Sequence, residues 1–124
     1  MVKIFHNKRC SKSCAAIDLL EKKGIKLEVQ EYLVQVPRKQ ELRDLLQKLN
    51  MSPLELIRKG ESIFQQQYKN EQLTDEQWLQ VMLDNPILIE RPIVVNGNRA
   101  VIGRPVERIL ELFQDADNIA SEKE

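Results

Sequence analysis

Val2-Lys3-Ile4-Phe5-His6-Asn7-Lys8-Arg9-Cys10-Ser11-Lys12-Ser13-Cys14 carries a short apolar stretch into a polar one and leads directly into a helical pattern, Ala15, Ala16, Leu19 and Leu20. Lys3 to Phe5 reads as a strand, with Ser11 or Ser13 as the cap of the helix. Cys10 falls at the junction, where backbone N–H groups and the helix dipole favour an anion and make the sulfur nucleophilic. Lowering a thiol pKa from about 8.5 to about 6.5 stabilises the thiolate by roughly 2.7 kcal/mol. The dipole alone supplies only about 0.3 to 1 kcal/mol, so further donors or cations are required. His6, Lys8, Arg9 and Lys12 are the local candidates.

Outward from this junction, Gly24 after Lys22 and Lys23 ends the helix, and Leu27 to Leu33 alternates as a second strand. Pro37 opens a helix in its first turn, with an apolar stripe of Leu42, Leu45, Leu46 and Leu49. Ser52-Pro53 starts a short helix, Leu54 to Arg58, ended by Gly60, and a further helical stretch covers Ser62 to Tyr68. Thr74 and Gln77 make a capping box for a helix through Trp78, Val81, Met82 and Leu83, and Pro86 marks its exit. Ile93 to Val95 and Arg99 to Ile102 flank Asn96-Gly97, a type I′ hairpin signal. Pro105 begins a last helix with Val106, Ile109, Leu110 and Phe113 on one face, before a polar tail at 118–124. Strand, helix, strand, inserted helices, hairpin and helix is an α/β plan with a small mixed sheet. That is the order of a thioredoxin-like domain over residues 1–117, carrying a helical insertion at about 37–85.

The chain has 124 residues, enough for one domain without disulfide staples or structural metal. Its 19 Lys and Arg balance 19 Asp and Glu, which offers no global field for nucleic acid or an anionic membrane. Any anion site must therefore be local. No run approaches the roughly 18 apolar residues of a membrane span, and no signal-peptide pattern opens the chain. Two cysteines without a secretory context point to a reducing cytoplasm, where paired thiols mean catalysis, redox sensing or metal binding.

Cys10, flanked by Arg9, Ser11 and Lys12, is the leading nucleophile. Cys14, four residues on, reads either as a core residue beside Ala15 or as a resolving thiol. At i, i+4 the Cα atoms are roughly 6 Å apart, near the upper part of the disulfide range, so a bridge needs some opening of the first turn. His6, Cys10 and Cys14 are evenly spaced, but a structural zinc wants four ligands and the chain has no further His or Cys. Arg58, Arg91 and Arg104 each lie beside a breaker, Gly60, Pro92 and Pro105. Guanidinium groups make bidentate contacts to oxyanions, provided the fold brings them together. A phosphatase-type loop is excluded, because the position six after Cys10 is Ala16 where that loop requires Arg.

With these residues in view, the chain resembles the glutaredoxin-dependent arsenate reductase, ArsC-like, family from Lys3 to about Asp115. The anchors are His6-Asn7 with Cys10 and Ser13, Leu56-Ile57-Arg58-Lys59, Asn85-Pro86-Ile87-Leu88-Ile89-Glu90-Arg91-Pro92-Ile93-Val94-Val95, and Gly103-Arg104-Pro105. The resemblance implies a thioredoxin-like fold with a helical insertion. It implies attack of Cys10 on arsenate, oxyanion binding by Arg58, Arg91 and Arg104, and a role for His6 in keeping Cys10 ionised. It further implies a cis peptide before Pro92, glutathione as co-substrate and glutaredoxin as partner; no bound cofactor and a monomeric chain are expected beside it. The chain departs from the family pattern at Lys8, where proline is usual, and at Cys14, where arginine is usual. Two other readings stand beside this one: a thiol-disulfide oxidoreductase cycling Cys10 and Cys14, and an Spx-type redox regulator that contacts RNA polymerase. The latter carries Cys-x-x-Cys, and Ser13 occupies the second slot here.

Overall fold

The computed structural model describes residues 2–113, so the tail read at 118–124 lies outside the described residues. The chain packs as two compact units, one of residues up to 31 together with those from 91 onward, the other Tyr32–Glu90.

In the first unit, β1 (Val2–His6), β2 (Leu27–Glu31), β3 (Ile93–Asn96) and β4 (Arg99–Ile102) form one mixed sheet in the order β2-β1-β3-β4. β1 and β2 pair in parallel from Val2↔Leu27 to His6↔Glu31, which demands a crossover; α1 (Ser11–Lys22) provides it. β3 runs antiparallel on the other side of β1, with Ile4 opposite Val94, and β4 pairs antiparallel with β3. β1 is a central strand, so Ile4 and Phe5 are both buried although they point to opposite faces. One core joins Val2, Ile4, Val94 and Val101 of the sheet to Ala16 and Leu20 of α1 and to Ile109 and Leu112 of the last segment. Each Val, Leu or Ile among them contributes roughly 1.5 to 3 kcal/mol by leaving water.

The elements follow the sequence reading with local differences. β2 stops at Glu31 rather than Leu33, because Tyr32 turns inward to full burial and donates from its hydroxyl to the Ile89 carbonyl. The hairpin is displaced by one residue: Asn96 pairs with Arg99, so the central residues are Gly97 and Asn98. The positive φ falls on Gly97 alone, at +63°, the pattern of a II′ rather than a I′ turn. After Pro105 the chain forms a 3₁₀ turn, Val106–Leu110, which places Ile109 and Leu112 in the core and leaves Leu110 half-buried. Ala15, read on the apolar stripe of α1, is exposed, and the buried positions there are Ser13, Ala16 and Leu20.

The second unit is helical: α2 (Lys39–Leu49), α3 (Pro53–Leu56) and α4 (Asp75–Asp84), with a π-helical turn at Phe64–Tyr68 and a 3₁₀ turn at Pro86–Leu88. α2 begins after Arg38 and not at Pro37, which is buried just ahead of it. Leu42, Leu45 and Leu46 face inward, as do Leu56, Trp78, Leu79 and Met82. Phe64 and Tyr68 pack on the Trp78 ring at centroid distances of 6.0 and 6.2 Å. On the surface, Glu76 pairs with Lys39 at 2.7 Å and with Arg43, and these cations hold its carboxyl well below the usual range, to about 2. No described helix is long and apolar enough to cross a membrane.

The Thr74 capping box forms in both directions, Gln77 N to Thr74 Oγ1 at 3.2 Å and Thr74 N to Gln77 Oε1 at 2.9 Å. Thr74→Ala is expected to cost about 1 kcal/mol in urea unfolding with an unchanged slope. An unchanged midpoint would show that α4 does not depend on this cap.

Candidate functional site

Cys10 is the N-cap residue of α1, with extended φ and ψ of −98° and 119°. No side-chain cap bond forms there, so the expected capping by Ser11 or Ser13 is replaced by a different arrangement. Ser13 is fully buried in the first turn. Its Oγ accepts the Asn7 N–H at 3.1 Å and lies 2.6 Å from His6 Nδ1. Asn7 then closes the loop: its carbonyl accepts the Cys10 N–H at 2.9 Å and its Oδ1 accepts the Arg9 N–H at 3.0 Å. The end of β1, the loop and the start of α1 are thereby tied into one polar knot beneath Cys10.

His6 is 7% exposed, and burial pushes its pKa down from the usual 6.5, opposed by the nearby Glu31 carboxylate. A neutral ring with its proton on Nε2 takes the serine hydrogen on Nδ1, completing a chain from Asn7 N–H through Ser13 to His6. The ring thus braces the loop. Lys8, Arg9 and Lys12 are exposed, and Lys8 lies 4.0 Å from Glu31. It is Arg104 that reaches the thiol, with Nη2 3.4 Å from Cys10 Sγ.

The same guanidinium donates from Nε to the Arg91 carbonyl at 2.7 Å. Arg91 shelters two of its own side-chain nitrogens, Nε and Nη1, from solvent. The Arg91-Pro92 and Arg104-Pro105 peptide bonds are both cis. Between them Gly103 N–H bonds the Pro92 carbonyl at 2.9 Å, and a Cβ at Gly103 would lie 3.1 Å from Pro92 Cγ and 3.0 Å from Ile109 Cδ1. Arg104, held through Nε by the Arg91 backbone carbonyl, is thus brought to Cys10 at the head of α1.

Arg58 belongs to the other unit. Its backbone N–H meets the Leu88 carbonyl at 2.7 Å beside the Ile57↔Ile89 bridge, and its side chain pairs with Glu61 at 2.9 Å and Glu90 at 3.4 Å. These carboxylates were missed in the sequence, although Glu61 stands three residues after Arg58, a spacing that signals a pair. Cys14 is exposed, which corrects its reading as a core residue; its Sγ lies 3.4 Å from the Lys8 carbonyl. Both cysteines are free thiols. Among the described residues, no group of three or more His, Cys, Asp or Glu could hold a metal ion.

A thiol at the head of the first helix, next to a mixed four-stranded sheet, defines a thioredoxin-like protein with a cysteine-centred site. More narrowly, the chain belongs to the ArsC family, whose model matches residues 5–112. It is 45% identical over 113 residues to the uncharacterised protein YfgD of Escherichia coli, covering 90% of this chain and 95% of that one. It is 41% identical over 110 residues to an arsenate reductase of Neisseria meningitidis, covering 87% and 94%. The solved arsenate reductase from Vibrio cholerae superposes with a TM-score of 0.85 at 39% identity, covering 90% of this chain and 96% of that one.

Because the folded state holds His6 below its unfolded pKa of 6.5, the unfolded chain binds more protons just below that pH. Stability should therefore fall as pH drops through about 6.5, and urea midpoints of His6→Gln should show a flatter slope over that window. Equal slopes would mean that His6 is accommodated as readily charged as neutral. Gly103→Ala should cost about 1 to 3 kcal/mol by crowding Pro92 and Ile109; thermal unfolding within a few tenths of wild type would show that the contact relaxes freely.

Proposed function

We propose that the chain is an arsenate reductase in which Cys10 is the nucleophile. The observation that carries this reading is the approach of Arg104 Nη2 to Cys10 Sγ at 3.4 Å, with the same guanidinium anchored on the Arg91 carbonyl. Arsenate is anionic near neutral pH, and a thiolate approaches it only when cations offset the repulsion. Arg104 stands beside the attacking atom, and the Arg91 backbone carbonyl holds Arg104 by its Nε. Membership of the ArsC family and the names of its arsenate reductase relatives support arsenate as the substrate.

Cys10 attacks arsenic and displaces water, giving a thioester of pentavalent arsenic. Glutathione attacks this adduct, and as arsenite leaves, Cys10 and glutathione supply the two electrons and remain joined as a mixed disulfide. Glutaredoxin then returns Cys10 to the thiol. His6 acts as a positioning residue through Ser13 and Asn7. For Arg58, oxyanion binding rests on the family resemblance alone. Its ion pairs give that role a distinct signature, since Glu61 competes with any oxyanion for the same guanidinium.

The test is arsenite release with glutathione and glutaredoxin. Cys10→Ser should abolish it; full activity in that variant would overturn the proposal. Loss of one charge-assisted bond is worth about 1.5 to 3 kcal/mol, so Arg104→Gln should lower kcat/KM roughly 10- to 150-fold. Glu61→Gln should lower KM for arsenate by breaking one of the two Arg58 ion pairs, Arg58→Gln should raise it, and an unchanged KM in both would remove Arg58 from substrate binding.

A further inference from the structure

Cys14 is the reactive group that this scheme leaves unused. Its thiol is exposed, and its backbone N–H bonds the Cys10 carbonyl at 3.0 Å, so the two cysteines are one helical turn apart. That spacing puts the Cα atoms about 6 Å apart, within the roughly 4.4 to 6.8 Å that disulfides span. The side chain points back along the helix: Sγ lies against the Lys8 carbonyl, in the loop that presents Cys10. Cys10 has extended backbone angles at the N-cap, outside the regular helix, and its side chain makes no cap bond.

We infer that Cys14 is a resolving thiol that lets the chain complete one reduction of arsenate on its own sulfurs, before any external thiol acts. The inference rests on Cys10 as the nucleophile toward arsenate. In the adduct, Cys10 Sγ is bonded to pentavalent arsenic. Cys14, as thiolate, attacks Cys10 Sγ; the S–S bond forms, the S–As bond breaks, and its electron pair stays on arsenic, which departs as arsenite. The proton of Cys14 passes to solvent and one is taken up by the leaving arsenite. Two thiols are oxidised to a disulfide while arsenic gains two electrons. An external thiol reductant then reopens the bridge, so a dithiol donor that attacks disulfides serves this route as glutathione serves the other.

The experiment mixes reduced protein, freed of small thiols, with arsenate. About one arsenite per chain is expected, with loss of two hydrogens from the protein mass and a Cys10–Cys14 bridge in the digested product. Cys14→Ser should release none under these conditions. The inference is overturned if wild-type protein yields no arsenite without added thiol yet turns over once glutathione and glutaredoxin are supplied. It is equally overturned if Cys14→Ser still gives stoichiometric arsenite, or if the product is a covalent dimer. Absence of arsenite in both arms overturns the arsenate reductase reading itself, and the inference with it.

Discussion

The buried hydroxyl of Ser13 is the contact on which the site depends. A hydroxyl left unpaired in the interior costs about 1 to 3 kcal/mol, so the fold must supply partners, and it takes them from the end of β1. Asn7 donates its backbone N–H and His6 offers Nδ1, so strand, loop and helix meet at one oxygen. With Asn7 fixed, its carbonyl and side chain dictate the course of Arg9 and Cys10. The sulfur is delivered to its place by hydrogen bonds that do not touch it.

Charge is distributed differently from what the local sequence suggests. The lysines around Cys10 face water, where high dielectric reduces the value of any pairing. Arg104, partly buried and fixed at Nε, keeps its orientation without the freedom that a lysine would spend. His6, held toward neutrality, keeps an uncompensated positive charge out of the knot below.

Much of this was legible before any coordinates. The apolar run into Phe5, the cap signals at Thr74 and Gln77 and the β-branched runs around Asn96-Gly97 rest on local chemistry, and the elements form where they indicate. The hairpin register slipped because Asn-Gly commonly fills the central positions, whereas pairing of Asn96 with Arg99 pushes the turn one residue on. Serine favours a cap position, which is what the sequence around Ser13 suggests; tertiary burial overrides the preference and turns Ser13 into the hub. The link between Arg104 and Cys10 spans 94 residues, a distance over which no periodicity or spacing carries information.

The hairpin also reaches the far end of the described chain. Asn96 Nδ2 donates to the Leu112 carbonyl at 3.3 Å, and Arg99 Nη1 to the Glu111 carbonyl at 3.4 Å. The carbonyls of the closing segment therefore take donors from the two ends of the hairpin turn. Fraying of that segment strips two bonds from the hairpin, and opening of the hairpin exposes the segment's carbonyls. The hairpin and the closing segment are thus coupled through two side chains, one on each side of the turn.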